Sequence, residues 1–155
     1  MRLSELSIAW AADGAGGAAP ASPAMRVEHD SLGALPVPAA AYYGIHTQRA
    51  LDNFPVSGRA LHPAMVDALV VVKKAAAMAN RDAGALSADV AGAIIAACDE
   101  VLAGALRDQF VTDAMQGGAG TSANMNVNEV LANRAIERLG GARGDYARVH
   151  PLDHV

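Results

Sequence analysis

The sequence has few of the features that mark disulfide-stabilised, membrane-spanning or nucleic-acid-binding proteins. It contains one cysteine, Cys98, so it can form neither an internal disulfide nor a cysteine-based zinc site. It has no apolar run of about 18 residues, the length that a membrane-spanning helix needs. The net charge of −4 disfavours a nucleic-acid surface, because such surfaces need clustered Lys and Arg. We therefore expect a cytoplasmic protein that binds neither nucleic acid nor a membrane.

Aromatic residues are also scarce, at 4 % of the chain, whereas alanine fills 36 of the 155 positions. Alanine is the strongest helix former, and strands are instead enriched in aromatic and β-branched residues. A chain of this length suits one domain that buries roughly 68–70 % of the surface exposed by its unfolded form. The composition predicts a single, mainly α-helical domain.

The first 24 residues differ from the rest, since residues 11–24 are mostly Ala, Gly, Ser and Pro with no apolar period. Arg2 and the small residues before Met25 loosely imitate a secretory signal, but Glu5 and Asp13 interrupt it. We predict a flexible N-terminal extension over 1–24, with Met25 as an alternative start. The folded domain is predicted over 25–155.

Short elements come first in this domain. Residues 26–29 predict a short strand and 30–33 a turn, and the prolines at 36 and 38 keep the chain extended. A short helix is predicted over 47–53.

Three longer helices follow, each with an apolar stripe of helical period. The first begins at Pro63 and is closed by Gly84, and Ser87 caps the second. The third runs over 121–139. The predicted buried stripe of the first is Met65, Leu69, Val72, Ala76 and Ala79. That of the second is Ala91, Ile94, Ile95, Cys98, Val101, Leu102 and Ala105. That of the third is Ala123, Val127, Val130, Leu131 and Ala135.

The glycine-rich junction before the third helix, residues 117–120, is the most informative segment. Glycines let the backbone approach a ligand closely, and the N-terminus of the following helix favours an anion. Thr121 and Ser122 add hydroxyl donors. No lysine follows in the Walker pattern and no strand precedes, so a carboxylate fits better than a nucleotide phosphate. The alternative is a plain loop in which Thr121 or Ser122 is an N-cap.

Asparagines stand at three alternate positions of the third helix, Asn124, Asn126 and Asn128. Residues two apart cannot share one helix face. At least one of these amides is therefore expected to bond a loop, a partner or a ligand. The alternative is that they face solvent.

Residues 116–133, Gln-Gly-Gly-Ala-Gly-Thr-Ser-Ala-Asn-Met-Asn-Val-Asn-Glu-Val-Leu-Ala-Asn, closely resemble the N-terminal part of the aspartase/class II fumarase superfamily. The segments 38–47, 73–80, 94–102 and 108–110 extend the resemblance in family order. It implies the N-terminal domain of the fumarase/aspartase fold, in which short extended segments precede three main helices. The family's central helical bundle would be missing from this chain.

Two details of the resemblance favour the aspartases over the fumarases. Fumarases usually have Gly-Ser-Gly-Thr-Gln where residues 118–122 read Gly-Ala-Gly-Thr-Ser, and Ala-Gln-Thr where residues 45–47 read Ile-His-Thr. Residues 150–153, His-Pro-Leu-Asp, are instead similar to the fumarase His-Pro-Asn-Asp stretch, which is associated with a secondary carboxylate site. Leu152 replaces the family's amide, so such a site at His150 and Asp153 would lack one of its groups.

The resemblance implies reversible anti-elimination of ammonia from L-aspartate to fumarate through an enediolate-like intermediate. Preorganised hydrogen-bond donors must stabilise the negative charge of such an intermediate. By the resemblance, the substrate-binding residues are Gly120, Thr121, Ser122 and Asn124. The alternatives are a class II fumarate hydratase, or a non-catalytic module that docks on full-length lyase subunits.

The family's other active-site segments lie further along than residue 155, and its homotetramers build each site from three subunits. We therefore expect no catalytic residue within this truncated chain and no turnover by the chain alone. No cofactor is expected. Mg²⁺ activation, frequent among aspartases, has no recognisable ligand cluster here, since Asp108 and Asp113 are interpreted as solvated or capping carboxylates.

Overall fold

The computed structural model describes residues 23–155. The predicted extension over 1–24 lies almost wholly outside the described residues. Between residues 23 and 155 the chain forms one hairpin and four helices, which confirms the mainly α class. In chain order the elements are β1 (Met25–Asp30), β2 (Gly33–Pro38), α1 (Ile45–Asn53), α2 (Pro63–Asp82), α3 (Ala88–Leu102) and α4 (Thr121–Arg138). A short 3-10 helix lies at Arg107–Gln109, and Gly118–Gly120 form a tight turn.

The hairpin is antiparallel, with Met25 opposite Pro38 and Asp30 opposite Gly33, so the predicted strand and turn are confirmed. Its turn is fixed by Asp30, whose carboxylate accepts a hydrogen bond from the Leu32 amide at 2.9 Å. The same carboxylate accepts a hydrogen bond from Nε of Arg49 at 2.7 Å. Because Arg49 belongs to α1, this pair joins the hairpin to the first helix.

The ends of α2 and α3 follow the predicted signals. Pro63 is the first residue of α2, and Gly84 follows the helix in the left-handed region with φ +72°. Ser87 caps α3, its hydroxyl oxygen accepting a hydrogen bond from the Val90 amide at 3.4 Å. These local signals place both helices correctly.

The predicted buried face of α2 is wrong by one residue. Val66, Val70 and Ala77 are buried, whereas Met65 is 51 % exposed and Val72 is 61 % exposed. The error arises because α2 is apolar almost all round, so its sequence does not select the side that packs on α3 and α4. In the predicted stripe of α3, four residues are buried, Ile95 and Leu102 are partly buried, and Ala105 is exposed beyond the end of the helix. The prediction missed the buried Ala93 and Ala97.

The core is built around α4, which contacts α1, α2 and α3. Its limits match the prediction to within a residue. Val127, Val130 and Leu131 are fully buried. Cys98 packs in the same core, and burial raises the pKa of its thiol to about 12, which confirms its interpretation as core filler. None of the helices between residues 23 and 155 has the length and hydropathy that crossing a membrane requires.

Candidate functional site

The junction before α4 takes an unusual backbone path. Gly118, Ala119 and Gly120 are all left-handed, with φ of +73°, +53° and +87°. This region is open to glycine but costs a residue with a Cβ roughly 1–2 kcal/mol, so Ala119 holds local strain. Thr121 then begins α4. Three consecutive left-handed residues turn the chain sharply into the first turn of the helix.

Gln116 fastens this turn from the side. Its Nε2 donates to the Asp113 carbonyl at 2.8 Å, and its Oε1 accepts from the Ala123 amide at 2.6 Å. Gln116 therefore caps α4, and the alternative in which Thr121 or Ser122 is the cap is wrong. Thr121 instead donates its hydroxyl to the Gly118 carbonyl at 2.6 Å.

The junction is also anchored to the segment after α1. Asp113 accepts hydrogen bonds from the Ser57 hydroxyl at 2.6 Å and from the amides of Ser57, Gly58 and Met115 at 2.7–2.8 Å. These bonds, the Ser57 hydroxyl first, hold the pKa of Asp113 well below its usual range. The interpretation of Asp113 as a capping carboxylate is confirmed. A Cβ on Gly117 would lie 3.0 Å from the Phe54 ring, so a larger residue would have to displace that ring.

A surface cavity of about 330 Å³ opens at the start of α4. The predicted residues Gly120, Thr121 and Asn124 line it, whereas Ser122 does not. Its other walls are Ala119, Ala123 and, from α2, Met65 and Leu69.

The described residues that line this cavity include no titratable side chain. The N-terminus of α4 contributes a partial positive charge beside the cavity, equivalent to roughly half an elementary charge. An ideal Cβ on Gly120 would meet nothing within 4 Å, so the space beside this backbone is open. Two donors at this helix start are bonded within the chain, the Ala123 amide to Gln116 and the Thr121 hydroxyl to the Gly118 carbonyl. The lining contains no side chain that could exchange a proton with a ligand.

The middle of α4 has a different role, which begins with Asn126. This fully buried amide accepts from the Val111 amide at 2.9 Å and donates to the Gln109 carbonyl at 3.0 Å. The expectation that one asparagine bonds a loop is confirmed. Solvent-facing amides are wrong for Asn126 and Asn128, since the latter is 3 % exposed.

Glu129 is a buried carboxylate that the sequence analysis missed. It is 1 % exposed and accepts hydrogen bonds from the amides of Gly44 at 2.8 Å, His46 at 2.8 Å and Thr47 at 3.1 Å. These amides form the N-terminal turn of α1. Burial raises the pKa of Glu129, and the backbone donors oppose that rise. A Cβ on Gly44 would lie 2.9 Å from the carboxylate, so glycine is required there.

Asn133 completes the polar side of α4 and was also missed. Its Nδ2 donates to the Tyr42 carbonyl at 2.8 Å, and its Oδ1 accepts from the Gly144 amide at 2.7 Å. Asn126, Glu129 and Asn133 are spaced by three and four residues, so they share one helix face. That spacing of polar residues within an apolar helix was the available signal.

His150 and Asp153, expected at a secondary carboxylate site, lie in one turn, with His150 Nδ1 3.3 Å from the Asp153 carboxylate. His150 lines a separate cavity of about 260 Å³ together with Glu129, Tyr146 and Leu152. His29, His46 and Asp30 also line this cavity, so histidines and carboxylates face it together. The secondary site stays a prediction.

No group of three or more His, Cys, Asp or Glu side chains between residues 23 and 155 is arranged to hold a metal ion. This part of the chain therefore offers no candidate ligand set for Mg²⁺.

Comparisons with known proteins agree with this architecture. A family profile described as Lyase matches residues 33–155. The aspartate ammonia-lyase of Escherichia coli is 54 % identical over 134 residues, which cover 84 % of this chain and 28 % of the relative. The class II fumarate hydratase of Halobacterium salinarum is 59 % identical over 130 residues, covering 84 % of this chain and 27 % of the relative.

A solved structure gives the same result. The fumarate lyase:delta crystallin of Brucella melitensis bound to cobalt superimposes with a TM-score of 0.83 at 54 % identity, over 84 % of this chain and 29 % of that one. The chain spans little more than a quarter of the length of the curated relatives it matches. Its fold is that of the N-terminal domain expected from the resemblance. The chain belongs to the lyase family that contains the aspartate ammonia-lyases and the class II fumarate hydratases.

Proposed function

We propose that this chain supplies the carboxylate-binding part of an aspartate ammonia-lyase, which interconverts L-aspartate with fumarate and ammonia. The observation that carries the proposal is the cavity at the start of α4, lined by Gly120, Thr121 and Asn124. Its volume lies at the lower end of the roughly 300–1,000 Å³ that is common for small-molecule sites. That size suits a four-carbon dicarboxylate.

The reaction explains why this cavity has a hydroxyl and an amide side chain but no charged one. Removing a proton beside a carboxylate creates an enediolate-like dianion, which preorganised donors must stabilise. The N-terminus of α4 and the Thr121 hydroxyl supply such donors without an acid that could return the proton. Thr121 would turn its hydroxyl from the Gly118 carbonyl toward the substrate.

The base must come from outside the part of the chain that the structure describes around this cavity. The lining residues offer none, and the curated relatives are more than three times as long as the matched segment. We infer that the complete site forms in a homotetramer of full-length subunits, and that these 155 residues alone have no turnover.

Residues 118–122 support the aspartase assignment, since Ala119 and Ser122 stand where fumarases usually have Ser and Gln. The second candidate is a class II fumarate hydratase, favoured by the 59 % identity with the Halobacterium salinarum enzyme. The third is a non-catalytic module that docks on full-length lyase subunits.

A chimera separates the first two candidates. Residues 25–155 replace the matched segment of the Escherichia coli aspartate ammonia-lyase, and both ammonia release from L-aspartate and hydration of fumarate to malate are measured. The proposal predicts ammonia release with no malate. Malate formation without ammonia release would instead support the fumarate hydratase. Turnover by the isolated 155-residue chain would contradict its predicted inactivity.

The third candidate has its own test. The 155-residue chain would co-purify with a full-length homologue from the same cell if it docks on lyase subunits. A chain that stays separate counts against that alternative.

A further inference from the structure

The helix α4 has no capping side chain at its own N-cap. That position is Gly120, although Ser, Thr, Asp or Asn usually stands there and accepts a hydrogen bond from an amide of the first turn. Gln116 supplies the acceptor instead, since its Oε1 accepts from the Ala123 amide at 2.6 Å. Gln116 is not among the residues that line the cavity at the start of α4. The first turn is therefore capped from outside the cavity.

The same side chain also holds the segment that precedes the turn. Its Nε2 donates to the Asp113 carbonyl at 2.8 Å, so one carboxamide joins residue 113 to residue 123 across the left-handed segment 118–120. The Asp113 carboxylate is in turn bonded to Ser57 and Gly58. Glutamine suits this position because its carboxamide offers both a donor and an acceptor, whereas a glutamate carboxylate only accepts.

Capping from outside keeps the start of α4 open. A side chain at position 120 would begin with a Cβ in open space at the wall of the cavity. Thr121 also lines the cavity, and its hydroxyl donates to the Gly118 carbonyl and does not cap the helix. Because Gln116 caps the helix, neither position 120 nor Thr121 has to do so.

We propose that Gln116 is a positioning residue of the carboxylate-binding site, an inference that rests on the proposed function. Its two hydrogen bonds set where α4 begins, and so fix the Thr121 hydroxyl relative to the substrate. Without them the first turn loses its cap, and the glycine at the N-cap has no side chain to replace the bond. A misplacement of about 1 Å can cost roughly 100-fold in rate, so the effect reaches catalysis from outside the cavity.

Hydrogen exchange of the ¹⁵N-labelled 155-residue chain tests the geometry. Gln116→Met keeps a side chain of similar length without its polar groups, and the Ala123 amide should then exchange at least about five-fold faster, as after loss of a helix cap. Gln116→Glu keeps the acceptor and should retain the protection. Gln48→Met is the matched control, since Gln48 is also partly buried and its Nε2 donates to Asp52 within α1. Unchanged exchange of Ala123 in Gln116→Met would overturn the inference.

A double-mutant cycle in the chimera with the Escherichia coli enzyme tests the link to Thr121. Gln116→Met is expected to lower kcat by roughly 10–100-fold and to change KM by less than about three-fold. In a Thr121→Val background the same substitution should lower kcat by less than about three-fold, because the hydroxyl that it positions is already absent. Gln48→Met should leave kcat unchanged in both backgrounds. Circular dichroism checks that each variant keeps its helices.

Equal losses of kcat with and without the Thr121 hydroxyl would overturn the inference, because Gln116 would then act on the fold in general. A rise in KM with kcat unchanged would overturn it as well. The cycle is measured on whichever reaction the chimera catalyses, ammonia release or fumarate hydration, so it does not depend on the aspartase assignment. An inactive chimera would contradict the proposed function, and the exchange experiment, which needs no substrate, would then decide the positioning by itself.

Discussion

The two halves of α4 are built in opposite ways. In the middle of the helix, Asn126, Glu129 and Asn133 are buried, and their side chains bond backbone groups of loops and of the first turn of α1. In the first turn, Thr121 is exposed and the neighbouring backbone is left-handed and open to a cavity. One helix therefore serves as scaffold along its length, and its start is the proposed binding surface.

The difference shows how a site is kept open without loosening the fold. The hydrogen bonds of Asn126, Glu129 and Asn133 to the backbone fix the geometry of the scaffold half. The strain at Ala119 is tolerated because Gln116, Asp113 and Phe54 hold the junction on both sides. Disturbing the middle of α4 should cost stability, whereas disturbing its start should cost binding or catalysis.

The largest expected effect is on the scaffold half. Glu129→Ala leaves three backbone amides of α1 without their acceptor, and burying such groups unpaired is expected to cost about 3–5 kcal/mol of unfolding free energy. Urea denaturation measures it. Asp153→Ala is the control, since this side chain is 74 % exposed, and should change stability by less than about 0.5 kcal/mol. If Glu129→Ala lowered the free energy of unfolding no more than Asp153→Ala does, Glu129 would have no scaffold role.

At the start of the helix, Thr121→Val should act on catalysis instead. In the chimera with the Escherichia coli enzyme, loss of a donor to the developing charge is expected to lower kcat by roughly 10²–10³-fold. Stability should change little, because the hydroxyl is exposed. Thr121→Ser keeps the donor and should retain most of the activity. If Val and Ser variants turn over equally, Thr121 does not contact the reacting group.

A pair of glycine substitutions separates backbone strain from helix propensity. Gly120→Ala forces a Cβ into the left-handed region at φ +87° and should destabilise the chain by roughly 1–2 kcal/mol. Gly92→Ala, inside α3 where an added Cβ meets nothing within 4 Å, should stabilise it by roughly 0.5–1 kcal/mol. Thermal melts of both variants give the comparison. If both substitutions shifted the melting temperature in the same direction, the left-handed backbone described for the junction would be contradicted.

The smallest effect concerns pH and the anchor of the junction. The pKa of Asp113 is lowered below its ordinary 3.8 in the folded chain. As pH falls, the Asp113 carboxylate is protonated in the unfolded chain before it is protonated in the folded chain. The contribution of Asp113 to stability is therefore present above the ordinary pKa and is lost as pH falls toward the lowered pKa of the folded chain. Between about pH 5 and pH 3 the wild type should lose more stability than Asp113→Asn. Denaturation midpoints at the two pH values test this, and parallel losses would speak against the anchor.

Much of the fold could be predicted because its signals are local. Pro63, Gly84 and Ser87 mark helix ends through their own backbone or capping chemistry, and the structure follows them. The packed side of α2 could not be predicted, because a helix that is apolar all round gives no preference until α3 and α4 are placed.

The candidate site could be predicted in part for the same reason. Gly120, Thr121 and Asn124 face one cavity, as their position at a glycine-rich helix start indicates. The capping role of Gln116 depends on how the left-handed residues turn, and Glu129 depends on amides more than 80 residues earlier in the chain. Hydrogen bonds to such distant partners do not change the hydrophobic periodicity of the sequence, so the pattern cannot predict them.

The central claim is that the start of α4 binds a dicarboxylate, and a nuclear magnetic resonance titration of the 155-residue chain tests it most directly. Adding fumarate or succinate to the ¹⁵N-labelled chain should shift the amide signals of residues 118–124, and Thr121→Val should weaken those shifts. Signals of these residues that stay unmoved while others shift, or no shift at any dicarboxylate concentration, would contradict the account.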